Sequence, residues 1–395
     1  MSYDFDTQLD RRATNSIKYR FYDPDVLPMW VADMDFTAPE PVLAALRAQV
    51  EHGVYGYEIP TEALIDRLRE RLYRLYGWTV ASKEIVVVPG LVSGFNVAAR
   101  AVCQPGDGYV IQTPVYFPML EVPKNYPLER HDAPLQLVSH GHTLHYELDA
   151  AAFAAALRAN TRLFLFCHPH NPAGKAFTRP ELAQLADHCL RHNLVICSDE
   201  IHSELLLDGT SHLPIALLAP EVADRTITLV SPSKTFNIAG LFCGFAIISN
   251  PDLRQRFQAV VHQLTLHVAS AGLVAAEAAL GPETDGWLAA LRAYLTANRD
   301  ALVTYVRDQL PGVRTTVPEA TYLAWLDCRA LNLEPSPFEF FLRQARVALN
   351  DGATFGPGGE GFVRLNFGCP RATLLEALDR LRLALEHPEH GRLPA

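Results

Sequence analysis

Between about residue 85 and residue 248 the chain repeats one pattern, and that pattern limits its fold more than any other feature. A short run of β-branched or aromatic residues is followed by a turn or by a stretch with helical spacing. The runs EIVVVPG, YVIQTPVY, TRLFLFCHP, LVICSDE, TITLVSPS and FCGFAIIS are near-continuous in apolar residues rather than alternating, as strands covered on both faces must be. Such strands separated by helices predict a mainly parallel sheet in an α/β fold. Ligands of open parallel sheets sit beyond the carboxyl ends of the strands. Polar residues that close the runs therefore come first as site candidates: Gly90, Tyr116, Asn171, Asp199 with His202, and Ser231, Ser233 and Lys234.

After residue 285 the spacing turns helical through WLAALRAYLTANRDALVTYV, and an α+β pattern then runs from ATYLAWLDC to TLLEALDRLRLALEH. A chain of 395 residues exceeds what one hydrophobic core usually fills. The expected organisation is a large ligand-binding domain over 46–285 and a small α+β domain over 286–395, with the segment 1–45 joining the small domain. Composition excludes several classes. With 49% hydrophobic and 20% charged residues and a net charge of −10, the chain is neither disordered nor equipped to neutralise nucleic-acid phosphates. The least polar stretch, 268–281, is too short for a membrane span. The acidic start MSYDFDTQLDRR does not read as a signal peptide, and seven cysteines without a C-x-x-C pair read as buried, reduced thiols. A cytoplasmic protein is expected.

Lys234 in SPSKTFNIAG needs a reason to be there. An amine becomes a covalent catalyst by forming a Schiff base with an aldehyde, and pyridoxal 5'-phosphate is the commonest such partner. That cofactor needs an acid at its ring nitrogen and backbone donors for its phosphate. Asp199 can supply the acid, Asn171 a donor to the phenolic oxygen, Tyr116 a stacking ring, and the strand-to-helix turn PGLVSG, with Gly90, Leu91 and Val92, the phosphate donors. Taken singly, each has a plainer reading: a solvated lysine, a strand-end cap, a turn former, a packed ring. SPSK also fits the S-x-x-K of serine acyl-enzymes with Ser231 as nucleophile, but no K-T-G element accompanies it. His140, His142 and His145 in SHGHTLHYE read as a solvated hairpin rather than a metal site.

Seven ordered segments carry a family resemblance: LPMWVADMDF, HGVYGYEIP, TPVYFPM, HPHNPAGKAFT, SDEIHSEL, SPSKTFNIAGL and ATYLAWLD. Together they resemble the fold-type I pyridoxal-phosphate enzymes and, within them, the MalY/PatB group of cystathionine β-lyases. The resemblance implies that Lys234 binds the aldehyde, Asp199 pairs with the ring nitrogen, Asn171 and Tyr116 hold the ring, and Ser231 and Ser233 serve the phosphate. It implies a substrate site at Arg364 and Trp30, and a homodimer in which Tyr57 reaches the neighbouring subunit's cofactor phosphate. Related transaminases carry tyrosine where His202 stands and arginine where Phe242 stands. Both departures favour β-elimination from an amino-acid thioether. An aminotransferase on the same scaffold and a regulatory binding protein are the alternatives.

Overall fold

The computed structural model describes residues 3–209 and 211–387. Its centre is a seven-stranded sheet in the order Ile85–Val88, Gly244–Ile247, Thr226–Val230, Val195–Asp199, Thr161–Cys167, Gly108–Thr113, Glu129–Pro134. All neighbours pair in parallel except Gly244–Ile247, which runs antiparallel to both of its partners. The near-continuous apolar runs follow from coverage on both faces. Alternate residues such as Ile111, Leu163, Leu165 and Leu229 pack with the helices Leu91–Val102 and Pro251–Gln263. Their neighbours Val110, Phe164, Phe166 and Ile196 pack with Ala150–Ala156 and Arg179–Arg191. Toward the Ile85–Val88 edge, Glu62–Tyr76 and Ser270–Leu280 cover the sheet. Each fully buried Phe or Leu contributes about 1.5–3 kcal/mol.

A second sheet of six strands contains Leu323–Asp327, Phe362–Asn366 and Asn350–Asp351. It packs with the 25-residue helix Asp285–Gln309 and the C-terminal helix Arg371–Glu386. The N-terminal residues Phe5, Leu27, Met29, Met34 and Phe36 are buried in this core, and Leu27–Pro28 pairs in parallel with Val347–Ala348. The histidine-containing segment is a hairpin, Gln136–His140 with Thr143–Glu147. It joins this second sheet by pairing with Arg314–Thr316, far along the chain. Among the described residues no group of three or more His, Cys, Asp or Glu is arranged to hold a metal ion, and all seven cysteines are buried and unpaired.

Candidate active site

The lysine sits on a short turn built for it. Ser231 caps the helical turn Pro232–Thr235, its Oγ accepting from the Ser233 N–H at 3.1 Å, and Pro232 at the first position needs no N–H partner. Ser231 donates its own proton to the Cys243 carbonyl at 2.6 Å. Thr235 and Phe236 are buried and pull the turn into the core. Lys234 remains half-buried, its Nζ donating to the Ala32 carbonyl at 2.6 Å. Asn237, at φ 56°, staples the loop above: its Nδ2 donates to the carbonyls of Met34 and Phe36 at 2.8 and 2.7 Å, and its Oδ1 accepts from the Met34 N–H.

Asp199 ends its strand as a buried carboxylate. One oxygen accepts from the Ile201 N–H at 3.1 Å, and no cation pairs with it at salt-bridge distance among the described residues. Burial raises its pKa to about 7, the Glu200 charge adds to the rise, and the Lys234 charge opposes it. Burial likewise drives Lys234 down to about 8, with Arg364 acting in the same direction and Asp33 and Asp199 against it. His202 is buried and pushed down to about 3, by burial first and then by the charges of Lys234 and Arg364. It is a neutral imidazole, and its Nδ1 has no hydrogen-bond partner.

Arg364 lies on Phe362–Asn366, directly opposite Asn350 in the adjoining strand. It is 2% exposed and pairs with no carboxylate among the described residues. Its Nη1 donates to Asn171 Oδ1 at 3.0 Å, and Nη2 to the Trp30 carbonyl at 3.0 Å and Asn350 Oδ1 at 2.5 Å. Nε is a buried donor without a partner. Burial lowers its pKa to about 10, with Tyr116 and Tyr322 pulling upward, so it is cationic at neutral pH. A buried guanidinium with an unused N–H and no counter-charge is suited to an incoming carboxylate. Tyr116 stands beside it, half-buried, its N–H donating to the Asn171 carbonyl at 3.0 Å. Burial raises its phenol to about 12, and the Arg364 charge pulls the other way.

At the other end, Gly90 opens the helix Leu91–Val102 with φ 86° and ψ 162°, a conformation suited to glycine. The first N–H groups of a helix have no partner within it and can take an anion. Leu91 is buried and Val92 exposed. The Phe242 ring lies 3.6 Å from where a Gly90 Cβ would be.

The structure thus gathers Lys234, Asp199, His202, Asn171, Tyr116 and Arg364 through direct contacts and shared electrostatics. Two further expected residues relate to this cluster differently. Trp30 approaches Arg364 through its backbone carbonyl, while its ring packs on Phe21 and Tyr22 and its Nε1 donates to the Lys18 carbonyl. Tyr57 is fully exposed, in a segment outside any helix or strand, with Val54, Tyr55 and Ile59 also exposed. The sequence reading missed Asp33, Tyr322 and Asn350. Asp33 faces Lys234 electrostatically while paired to Arg11 at 2.6 Å. Tyr322 donates to the Ala32 carbonyl at 2.9 Å. The first two lay inside noted segments; Asn350 had no local signal, because its role arises from strand pairing.

A mainly parallel sheet with a half-buried amine and a buried acid at its strand ends, beside a buried guanidinium from the second sheet, defines an amino-acid-handling enzyme, and the chain belongs to the aminotransferase class I and II family, whose profile matches residues 27–381. It is similar to cystathionine β-lyase PatB of Bacillus subtilis strain 168, with 38% identity over 389 residues covering 96% of this chain and 99% of PatB. It is also similar to protein MalY of Escherichia coli strain K12, with 31% identity over 386 residues covering 94% and 96%. The structure of the pyridoxal-phosphate-bound C-S lyase from Staphylococcus hominis matches with a TM-score of 0.89 and 31% identity, covering 98% of both chains. The resemblance to the MalY/PatB group is borne out. Among the described residues no helix is long and apolar enough to cross a membrane.

Proposed function

We propose that the protein is a pyridoxal 5'-phosphate-dependent carbon–sulfur β-lyase, which splits a cysteine thioether such as L-cystathionine, with water, into a thiol, pyruvate and ammonia. The observation that carries amino-acid chemistry is the pairing of a half-buried amine of lowered pKa, Lys234, with a buried guanidinium, Arg364, that has no carboxylate partner among the described residues. Elimination rather than transamination is supported by His202 and Phe242 and by the relatives named as cystathionine β-lyase and C-S lyase.

The residues fit the cofactor. Asp199 is a buried carboxylate with no cation at salt-bridge distance among the described residues, as a ring nitrogen that must stay protonated requires. Lys234 would hold the aldehyde. Asn171 and Tyr116 would hold the ring beside the neutral His202, and the phosphate would be received at the turn opened by Gly90, by the N–H groups of Leu91 and Val92 and by the Ser233 hydroxyl, the Gly90 N–H itself donating to the Val88 carbonyl at 2.9 Å. Ser231, whose hydroxyl meets both the Cys243 carbonyl and Ser233 Oγ, shapes that end of the site. When bound, the cofactor supplies the carbonyl carbon for the amine and a ring that withdraws electrons from the substrate's α-carbon. Arg364 orients the substrate by its α-carboxylate, and the Trp30 carbonyl and Asn350 hold the guanidinium in place. Lys234 Nζ, freed when the substrate's amine takes its position, removes the α-proton. A pKa near 8 leaves a usable fraction of neutral amine at physiological pH. The β-thiolate then departs.

The exposed segment around Tyr57 supports a homodimer in which this tyrosine serves the neighbour's phosphate. Apolar side chains at 50, 54, 55, 57 and 59, all exposed in one chain, are suited to burial against a second copy. Seven reduced, buried cysteines suit a cytoplasmic location. The test is product analysis. L-cystathionine should yield pyruvate, ammonia and free thiol in equal amounts with no added keto acid. A keto-acid requirement without thiol release would replace this reading with transamination.

A further inference from the structure

The loop from Trp30 to Phe36 is held by side chains of the site. The carbonyl of Trp30 accepts from Arg364, those of Val31 and Asp33 from Asn366 Nδ2 at 2.5 and 2.6 Å, and those of Met34 and Phe36 from Asn237. The Ala32 carbonyl differs in which donors it takes, because one of the two is the site's own amine: Lys234 Nζ at 2.6 Å, beside Tyr322 Oη at 2.9 Å. Tyr322 is 1% exposed. Its carbonyl accepts from the Phe367 N–H at 2.8 Å, and its ring meets His202 edge-on with centroids 6.1 Å apart. A phenol so fixed has little freedom to seek another acceptor.

We propose that Tyr322 is a positioning residue for Lys234: by occupying one lone pair of the Ala32 carbonyl, it fixes where the free amine docks and limits how strongly that carbonyl holds the ammonium form. The proposal rests on the reading of Lys234 as aldehyde-binding base. A carbonyl oxygen has two lone pairs. It binds an ammonium more strongly than a neutral amine, because a charged donor makes the stronger hydrogen bond. Left to itself, Ala32 would therefore favour the protonated lysine, which cannot act as a base. Donation from Tyr322 draws on the same oxygen and blunts that preference. The other groups facing Lys234 are Asp33 and Asp199, which favour the ammonium, Arg364, which disfavours it, and neutral His202. A Tyr322→Phe change removes none of these groups and keeps the ring against His202; the hydroxyl it deletes also acts on Arg364, which stays cationic at neutral pH.

The test is competitive acylation of the cofactor-free full-length chain across pH, with the Lys234 peptide quantified by mass spectrometry. Tyr322→Phe should move the labelling midpoint of Lys234 upward, leaving about threefold less neutral amine at pH 7, the size expected for weakening one hydrogen bond. In the holoenzyme the acid limb of kcat should move upward as well, with KM for the thioether within about twofold of wild type, because Arg364 and its partners remain. An absent or downward labelling shift, with only a lowered melting temperature, overturns the proposal and leaves Tyr322 as packing. If the variant does not fold, 3-fluorotyrosine at position 322, a stronger donor, must shift the midpoint downward; no shift overturns the proposal equally. Labelling needs no turnover, so a failed lyase assay beside a shifted midpoint would count against the lyase reading alone.

Discussion

Replacing Arg364 by lysine tests the substrate site most directly. The guanidinium has five N–H donors, and three are committed to Asn171, Trp30 and Asn350, while Nε is buried without a partner. A lysine ammonium keeps the charge but cannot span these acceptors and still meet a carboxylate. One charge-assisted hydrogen bond lost is about 1.5–3 kcal/mol, and about 1.4 kcal/mol is a factor of ten. KM should therefore rise roughly 10- to 100-fold, with a smaller change in kcat. A second signature comes from titration. The wild-type guanidinium stays charged up to about pH 10, whereas an ammonium buried in the same place loses its proton earlier. The variant's KM should thus climb between pH 7 and pH 9 while that of the wild type stays nearly level. Initial rates of thiol release at the two pH values measure both effects. A folded variant with wild-type KM at both would refute a carboxylate-binding role for Arg364.

Borohydride reduction of the holoenzyme should attach the cofactor to Lys234 and to no other lysine, and Lys234→Ala should still bind cofactor while losing turnover; peptide mapping and absorbance decide both. Asp199→Asn should fold and bind cofactor yet lose at least about tenfold in kcat, since an amide cannot hold the ring nitrogen protonated; near-normal turnover would remove Asp199 from its proposed role. Mixed Tyr57→Phe and Lys234→Ala chains should regain activity above either parent, because some hybrid dimers carry one intact site. No recovery despite demonstrated chain exchange would place Tyr57 outside the neighbour's site.

Strand runs and strand-end residues were legible because their causes are local. Continuous apolar runs such as TRLFLFC announce burial on both faces, and the seven-stranded sheet has Cys167, Asp199 and Val230 at the ends where the runs said strands would stop. Lys234, Asp199 and Asn171 are findable for the same reason, each lying next to a strand end. The turn chemistry is local too: Ser231 and Pro232 cap the lysine turn through bonds within two residues.

Partnerships across the chain were not legible. That Arg364 faces Asn350 follows from antiparallel pairing, and that the hairpin Gln136–His140 with Thr143–Glu147 extends the C-terminal sheet follows from parallel pairing with Arg314–Thr316. Neither register leaves a mark in the local pattern. Trp30 was named for the substrate site without a role, and only the fold shows its ring packing on Phe21 and Tyr22 and its carbonyl facing Arg364. The same holds for reactivity. The sequence alone supplied an acid and an amine, since residue type and strand-end position are properties of short segments, and the guanidinium came from the family resemblance. Only the tertiary structure decided that burial drives Lys234 down to about 8, that Arg364 has no carboxylate partner among the described residues, and that Lys234 and Tyr322 share the Ala32 carbonyl. Desolvation and hydrogen-bond competition depend on which distant segments close around a group, and folding alone brings those segments together.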